Sequence, residues 1–342
     1  MIEIDGSEGE GGGQMLRTSL SLSMATGKPF RIFNLRANRK KPGLKRQHLT
    51  AVRAAAEVSG ARVQGGELGS REVLFEPGPV QSGHYRFDIG TAGSTTLVFQ
   101  TILPVLMTAA EPSKLTLAGG THNGMSPPWD FLETTFLPVV EMMGPKVSLK
   151  LIRRGFYPAG GGLFEANIQP AEKLQPLEIL EREKKPVCSA KAIVANLPEH
   201  IAQRELDVLS RRLNFGEWQR DIEVDQTAHG PGNMVYVKTA TGSVTELFSA
   251  LGEKGVSAEK VAAGLARECK SFLKSSAPVG PHLADQLLVP MSLGAGGSFR
   301  TTSPLTLHTT TNAEVIQRFL DVEIIQCELE NDIAEITVHP AE

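Results

Sequence analysis

The chain has 342 residues, 41% of them hydrophobic and 21% charged, and a formal net charge of −3. That is ordinary globular composition at more than one domain's usual length, and the bulk charge does not announce a nucleic-acid binder. Three well-separated cysteines, Cys188, Cys269 and Cys327, form no CxxC and argue against a disulfide framework or a thiolate metal site. No apolar run approaches the roughly 20 residues needed to span a bilayer, so a cytoplasmic protein with no membrane partner is expected.

The first predicted element is the strand-like Ile2–Ile4, and a helix follows from near Gln14. Between them lies the run GSEGEGGGQMLR, residues 6 to 17. It matches neither GxxxxGK[ST] nor GxGxxG, so neither standard nucleotide loop applies. Two readings stay open. It is a tight turn, or it is a loop whose glycines let backbone N–H groups approach phosphate, with Glu10 able to hold a metal ion and Arg17 a phosphate. Next comes RANRKKPGLKR at 36 to 46, which carries Arg36, Arg39, Lys40, Lys41, Lys45 and Arg46 and no acid. It reads as a solvated loop around Pro42-Gly43 or as a local patch for a short anionic segment such as a strand end. Gln47 and His48 open the helix that follows, where they could meet a phosphate or sugar.

Further along, helical spacing joins Phe131, Leu132, Phe136, Val139 and Val140. Just before it, Trp129 offers either packing or a base-stacking surface. His282 lies in GPHLADQLL, at the loop that opens a later unit, where a structural reading also stays open. In TSPLTLHTTTNAEVIQRFL, alternation predicts a short strand with Leu305 and Leu307 on one face and Thr306, His308 and Thr310 on the other. Thr311 and Glu314 then have capping-box spacing for a helix over Ala313–Phe319. His308 would sit just before that N-terminus, which disfavours imidazolium and keeps the ring neutral; a purely structural histidine is the competing reading. The eight histidines form neither HExxH nor HxE…CxxC.

Three segments share one order of polar loop, apolar helix, Gly- or Pro-containing break, strand, second helix and second strand; they begin at Gln14, Ser94 and Ala284. The first two starts are 80 residues apart and the second and third 190, so roughly 110 residues are inserted. Linker-like EREKKP and KSSAPVGP bracket them. The expected organisation is an α/β body of three repeated units, 1–184 and 278–342, with a small inserted α/β domain at 185–277.

As an ordered set, DGSEGEGGGQMLR, RANRKKPGLKRQHLTAV, GTAGSTTLVFQTILP, RRGFYPAGGG, HLADQLLVPM and LHTTTN resemble the RNA 3'-terminal phosphate cyclases over almost the whole chain. That resemblance implies three α/β units around a pseudo-threefold, interrupted by a small domain. It also implies ATP-dependent conversion of an RNA 3'-phosphate to a 2',3'-cyclic phosphate. By it His308 attacks the α-phosphate of ATP to form a histidyl-AMP, from which AMP passes to the RNA 3'-phosphate. Glu10 maps to a divalent metal, Mg or Mn, on the triphosphate. Arg17, Arg36, Arg39, Gln47 and His48 map to phosphate or RNA-end contacts. Gln100, Pro127, His282, Leu283, Ala284, Asp285 and Gln286 map to the nucleotide pocket, with His282 where relatives often carry Tyr. No oligomeric state follows. A non-catalytic cyclase-like RNA-binding or ribosome-assembly protein is the alternative, disfavoured by the histidine in LHTTTN. Fold relatives that transfer enolpyruvyl groups would need no histidyl nucleotide.

Overall fold

The computed structural model describes residues 1–214, 216 and 219–341. The chain opens with β1 (Ile2–Asp5), α1 (Gly13–Thr26), β2 (Phe30–Phe33), α2 (Arg46–Ser59), β3 (Arg62–Gln64) and β4 (Val73–Glu76). Next come β5 (His84–Asp88), α3 (Thr95–Leu106), β6 (Ser113–Gly119), α4 (Trp129–Phe131), a π-helical turn over Leu132–Phe136, α5 (Leu137–Glu141), β7 (Lys146–Arg153) and β8 (Gly162–Gln169). Strand β9 (Leu177–Ile179) precedes the insertion: β10 (Val187–Ala195), α6 (His200–Leu213), β11 (Arg220–Asp225), β12 (Gly232–Ala240), β13 (Thr245–Leu251) and α7 (Ala258–Lys274). The chain closes with α8 (Pro281–Leu293), β14 (Gly297–Thr302), α9 (Leu307–Phe319), β15 (Val322–Glu328) and β16 (Ile333–Pro340).

These strands make an α/β fold of four-stranded sheets ordered β1-β2-β4-β3, β5-β6-β8-β7, β15-β16-β14-β9 and β11-β10-β12-β13. In each of the first three one pair is parallel: β1 with β2 across α1, β5 with β6 across α3, and β9 with β14 across the insertion and α8. The remaining pairings in those sheets are antiparallel. The recurring connectivity is strand, helix, strand, helix, then a hairpin. A parallel pair needs a crossover, which the helix supplies.

Helix α1 packs against α2, α3 and α9, and its polar residues are consumed inside. Ser19 Oγ donates to Met15 O at 2.7 Å and Thr18 Oγ1 to Asn312 Oδ1 at 2.7 Å. Every residue of α3 except Gln100 is buried. Phe30 packs on Phe75 and edge-on to Phe319, with centroids 5.8 Å apart in both pairs.

The insertion carries a parallel strand, β11, that its sequence did not suggest, beside antiparallel β10, β12 and β13. Alternation divides its sheet. Val194, Val235 and Val237 face a separate apolar cluster with Leu206, Leu265 and Phe272 of α6 and α7, while Ile193, Met234 and Tyr236 join the core of the body. The RRGFYPAGGG loop sits on this joint, where Arg154 pairs with Glu223 and, at 3.3 Å, with Asp225.

Two local expectations are corrected, and at Trp129 the packing reading is the one the structure bears out. The run from Trp129 to Glu141 is not uniformly α-helical: Pro138 has no N–H to return to Thr134 O, and the ladder widens into the π turn over Leu132–Phe136. Trp129 is buried in the core, 7% exposed, and offers no stacking surface. The predicted strand around Leu305–Thr310 is absent: α9 begins at Leu307, with Thr306 as N-cap accepting from Thr309 N, so the cap does not fall at Thr311. A run of threonines with period-two alternation looks like a strand, but a threonine hydroxyl is also a good N-cap, and the cap decides here.

Candidate active site

The loop after β1 is folded by its own acid. Asp5 Oδ1 accepts from Ser7 N at 2.9 Å, Ser7 Oγ at 2.7 Å and Asn34 Nδ2 at 3.1 Å. The glycines then serve close packing. A Cβ on Gly12 would lie 2.2 Å from Glu10 Oε2, and one on Gly13 would lie 2.6 Å from His48 Nε2 and 2.9 Å from an Arg17 nitrogen. Only glycine admits the Glu10 carboxylate on one side and the His48 ring on the other. No side chain caps α1, which begins at Gly13 with Gly12 as N-cap, so its first turn keeps N–H groups suited to an anion.

Residues from distant parts of the chain close around this loop. Glu10 N donates to Thr311 Oγ1 at 3.0 Å, and the Glu10 carboxylate pairs with Arg39. The second carboxylate oxygen, Oε2, is buried without a protein partner. Gln14 bridges two helices: its Nε2 donates to Asp285 Oδ2 at 2.9 Å on α8, and its Oε1 accepts from His308 Nδ1 at 2.8 Å on α9. The Asp285 carboxylate orients the amide, the amide oxygen holds the proton on His308 Nδ1, and His308 Nε2 keeps its lone pair. His308 is in the first turn of α9 and exposed. Asn312 Nδ2 donates to Asp285 O at 2.7 Å, which locks α8 to α9 behind the relay.

Electrostatics favours neutral rings. Burial, with Arg17, Arg39 and His282, holds His308 below the ordinary imidazole range against the opposing pull of Glu10. Burial, then Arg17, Arg36 and Lys45, pushes His48 down to about 3, and its Nδ1 accepts from Lys45 N at 3.2 Å. Burial also lowers Arg17 to about 10 and raises Asp285 to about 7, each opposed by charges of the other sign in the site.

The remaining sequence-derived candidates divide. Gln100 bonds Gln286, and Gln286 Nε2 donates to His282 O. Pro127 O accepts from Thr96 Oγ1 at 2.8 Å. Gln47 Oε1 accepts from Ser94 N at 2.8 Å, tying α2 to the loop before α3. Arg36 Nη1 donates to Lys41 O and Gly43 O, each at 2.9 Å, while its charge is felt by His48 and in turn feels Arg39 and Glu10. The side chains of Leu283 and Ala284 are in the core, which leaves them only backbone to offer a ligand. His282 is exposed and bonds Glu268 at 2.7 Å, an interaction that raises its proton affinity. Gln14, Thr311 and Asn312 were not named as site residues from sequence, although Gln14 directly follows the glycine run and the other two stand in LHTTTN.

Among the described residues, no three His, Cys, Asp or Glu side chains gather to enclose a metal. Glu10, with its unpartnered oxygen, is a single hard ligand that fits a magnesium-like ion sharing its other positions with phosphate and water.

Helix N-termini, arginines and the carboxylates of Glu10 and Asp285 around a neutral imidazole define an α/β protein equipped for phosphate chemistry. The chain belongs to the RNA 3'-terminal phosphate cyclase family, whose description matches residues 8–325. It is 53% identical over 97% of its length to an RNA 3'-terminal phosphate cyclase of Koribacter versatilis, covering 93% of that protein. It is 50% identical over 99% of its length to one of Pseudomonas fluorescens, covering 98%.

Proposed function

We propose that this chain converts an RNA 3'-terminal phosphate to a 2',3'-cyclic phosphodiester at the expense of ATP, through a histidyl-AMP on His308 and an RNA-adenylate. The relay Asp285–Gln14–His308 carries this reading, because it leaves Nε2 as the nucleophilic nitrogen. Nε2 attacks the α-phosphorus, the bond to the bridging oxygen of pyrophosphate breaks, and the proton stays on Nδ1 against Gln14 Oε1. An oxygen of the RNA 3'-phosphate then displaces the imidazole. The 2'-OH attacks the activated phosphorus, loses its proton, and AMP leaves.

Arg17 and Arg39 neutralise phosphate charge in these steps, and His48, neutral with its Nε2 protonated, donates a hydrogen bond at the mouth of α1. Glu10 would hold a magnesium or manganese ion, which neutralises charge on the triphosphate when bound. Gln100, Pro127 and the residues from His282 to Gln286 form the nucleotide side. In this reading the catalytic body is 1–184 and 278–342, three units about a pseudo-threefold, and 185–277 is an inserted domain. RNA 3'-phosphate ends and ATP are the partners, and no helix among the described residues is long and apolar enough to cross a membrane.

Incubation with ATP labelled at the α-phosphate, followed by denaturing separation, tests it. Acid-labile, alkali-stable label on the wild type and none on His308→Ala is expected. Full labelling of His308→Ala would overturn the role of His308, and no label on the wild type with either metal would favour a non-catalytic RNA-binding protein.

A further inference from the structure

Helix α8, which sends Asp285 to Gln14 and Gln286 to Gln100, is entered through Gly280 and His282. Carboxylates from the insertion hold both entry residues. Glu246 on β13, 2% exposed, accepts from Gly280 N at 2.6 Å. It fills the space there, since a Cβ on Gly280 would lie 2.8 Å from its Oε2. Glu268 on α7 bonds His282 Nε2 at 2.7 Å. The His282 side chain is otherwise 61% exposed.

An exposed imidazole with no partner samples several rotamers, and ordering it on a ligand costs conformational entropy. Tying Nε2 to a carboxylate settles the ring's orientation in advance and leaves a face open to solvent. It also enriches the ring in positive charge, which suits the π face of a purine. The ring is continuous with the site through its own backbone, since Gln286 donates to His282 O and bonds Gln100.

We propose that Glu268, acting through His282, is a positioning residue for the base of the nucleotide, so that the inserted segment forms part of the ATP-binding apparatus. The inference rests on the reading that His282 faces the nucleotide. Glu268 touches no reacting atom; its contribution is to affinity and not to the chemical step.

The test measures labelling of the full chain against ATP concentration for the wild type, Glu268→Gln, His282→Ala and the double variant, with thermal unfolding of each. Glu268→Gln is expected to raise the half-saturating ATP concentration about 2- to 5-fold, the range of an exposed ion pair, with maximal rate and unfolding temperature unchanged. His282→Ala should raise it at least about 5-fold, since it removes the stacking ring itself. The double variant should match His282→Ala, because Glu268 has nothing to position once the ring is gone. An unchanged half-saturation in Glu268→Gln, or losses that multiply in the double variant, would overturn the proposal. If His282→Ala labels as the wild type does, the nucleotide does not lie against residue 282, and the proposal falls while nucleotidyl transfer at His308 stands. A wild type that takes no label removes both.

Discussion

His308 and His48 stand in the first turns of two helices, α9 and α2, and do opposite things with the same ring. At both places the N-terminal end of the helix disfavours a positive charge. His48 is buried, and its Nδ1 accepts from the Lys45 backbone N–H, so the neutral ring must carry its proton on Nε2 and can act as a donor. His308 is exposed, and its Nδ1 donates to Gln14, so Nε2 is unprotonated and can act as a nucleophile. Burial and neighbouring cations favour the neutral form of both rings; the partner of Nδ1 decides which neutral form each adopts.

The sharpest way to break this contrast is to replace each ring by asparagine. His308→Asn should lose at least about a thousand-fold in transfer of label from ATP, as removal of a nucleophile does. His48→Asn should keep labelling within about tenfold, because an amide oxygen can still accept from Lys45 N; equal losses in the two variants would erase the distinction. Next in size is the relay. Gln14→Ala should slow labelling by about 10- to 100-fold, the usual effect of removing a group that orients a functional imidazole. A wild-type rate would show that Gln14 does not set the tautomer.

Acid stability separates the rings a third way. His48 takes a proton more readily unfolded, at its ordinary 6.5, than folded, at about 3, so its contribution to stability is full above 6.5 and falls progressively as pH drops toward 3. The slope is up to about 1.4 kcal/mol per pH unit. Asp285, Glu205 and Glu246, each raised to about 7 mainly by burial, act with the opposite sign between their ordinary carboxyl values and about 7. Denaturant unfolding of wild type and His48→Asn, compared at each pH, isolates the His48 share; parallel curves would contradict it. The smallest effect concerns the caps. Thr306→Ala should cost about 1 kcal/mol of unfolding free energy, whereas Lys45→Ala, which removes no side-chain cap, should stay within about 0.5 kcal/mol. Equal costs would show that the hydroxyl of Thr306 does not hold the start of α9.

Much of the fold was legible because it is local. Helical and alternating periods located most elements, and the unequal spacing of the three similar segments exposed the insertion. The misreadings came where two local rules compete. The stretch Leu305–Thr310 satisfies strand alternation and helix capping at once, and the Thr306 hydroxyl, accepting from Thr309 N, starts the helix there.

The candidate site was legible residue by residue, through Glu10, Arg17, Arg39, His48 and His308, but not as an arrangement. The sequence by itself determined the chemical inventory: a glycine run with an acid and an arginine in it, a basic stretch without acids, and a histidine close to a helix start. Only the tertiary structure decided which nitrogen of His308 is free and that Gln14 stands between it and Asp285. These contacts join residues 294 and 271 positions apart. Local pattern carries no information at that range, because the geometry of a side-chain hydrogen bond between helices is set by how their buried faces pack.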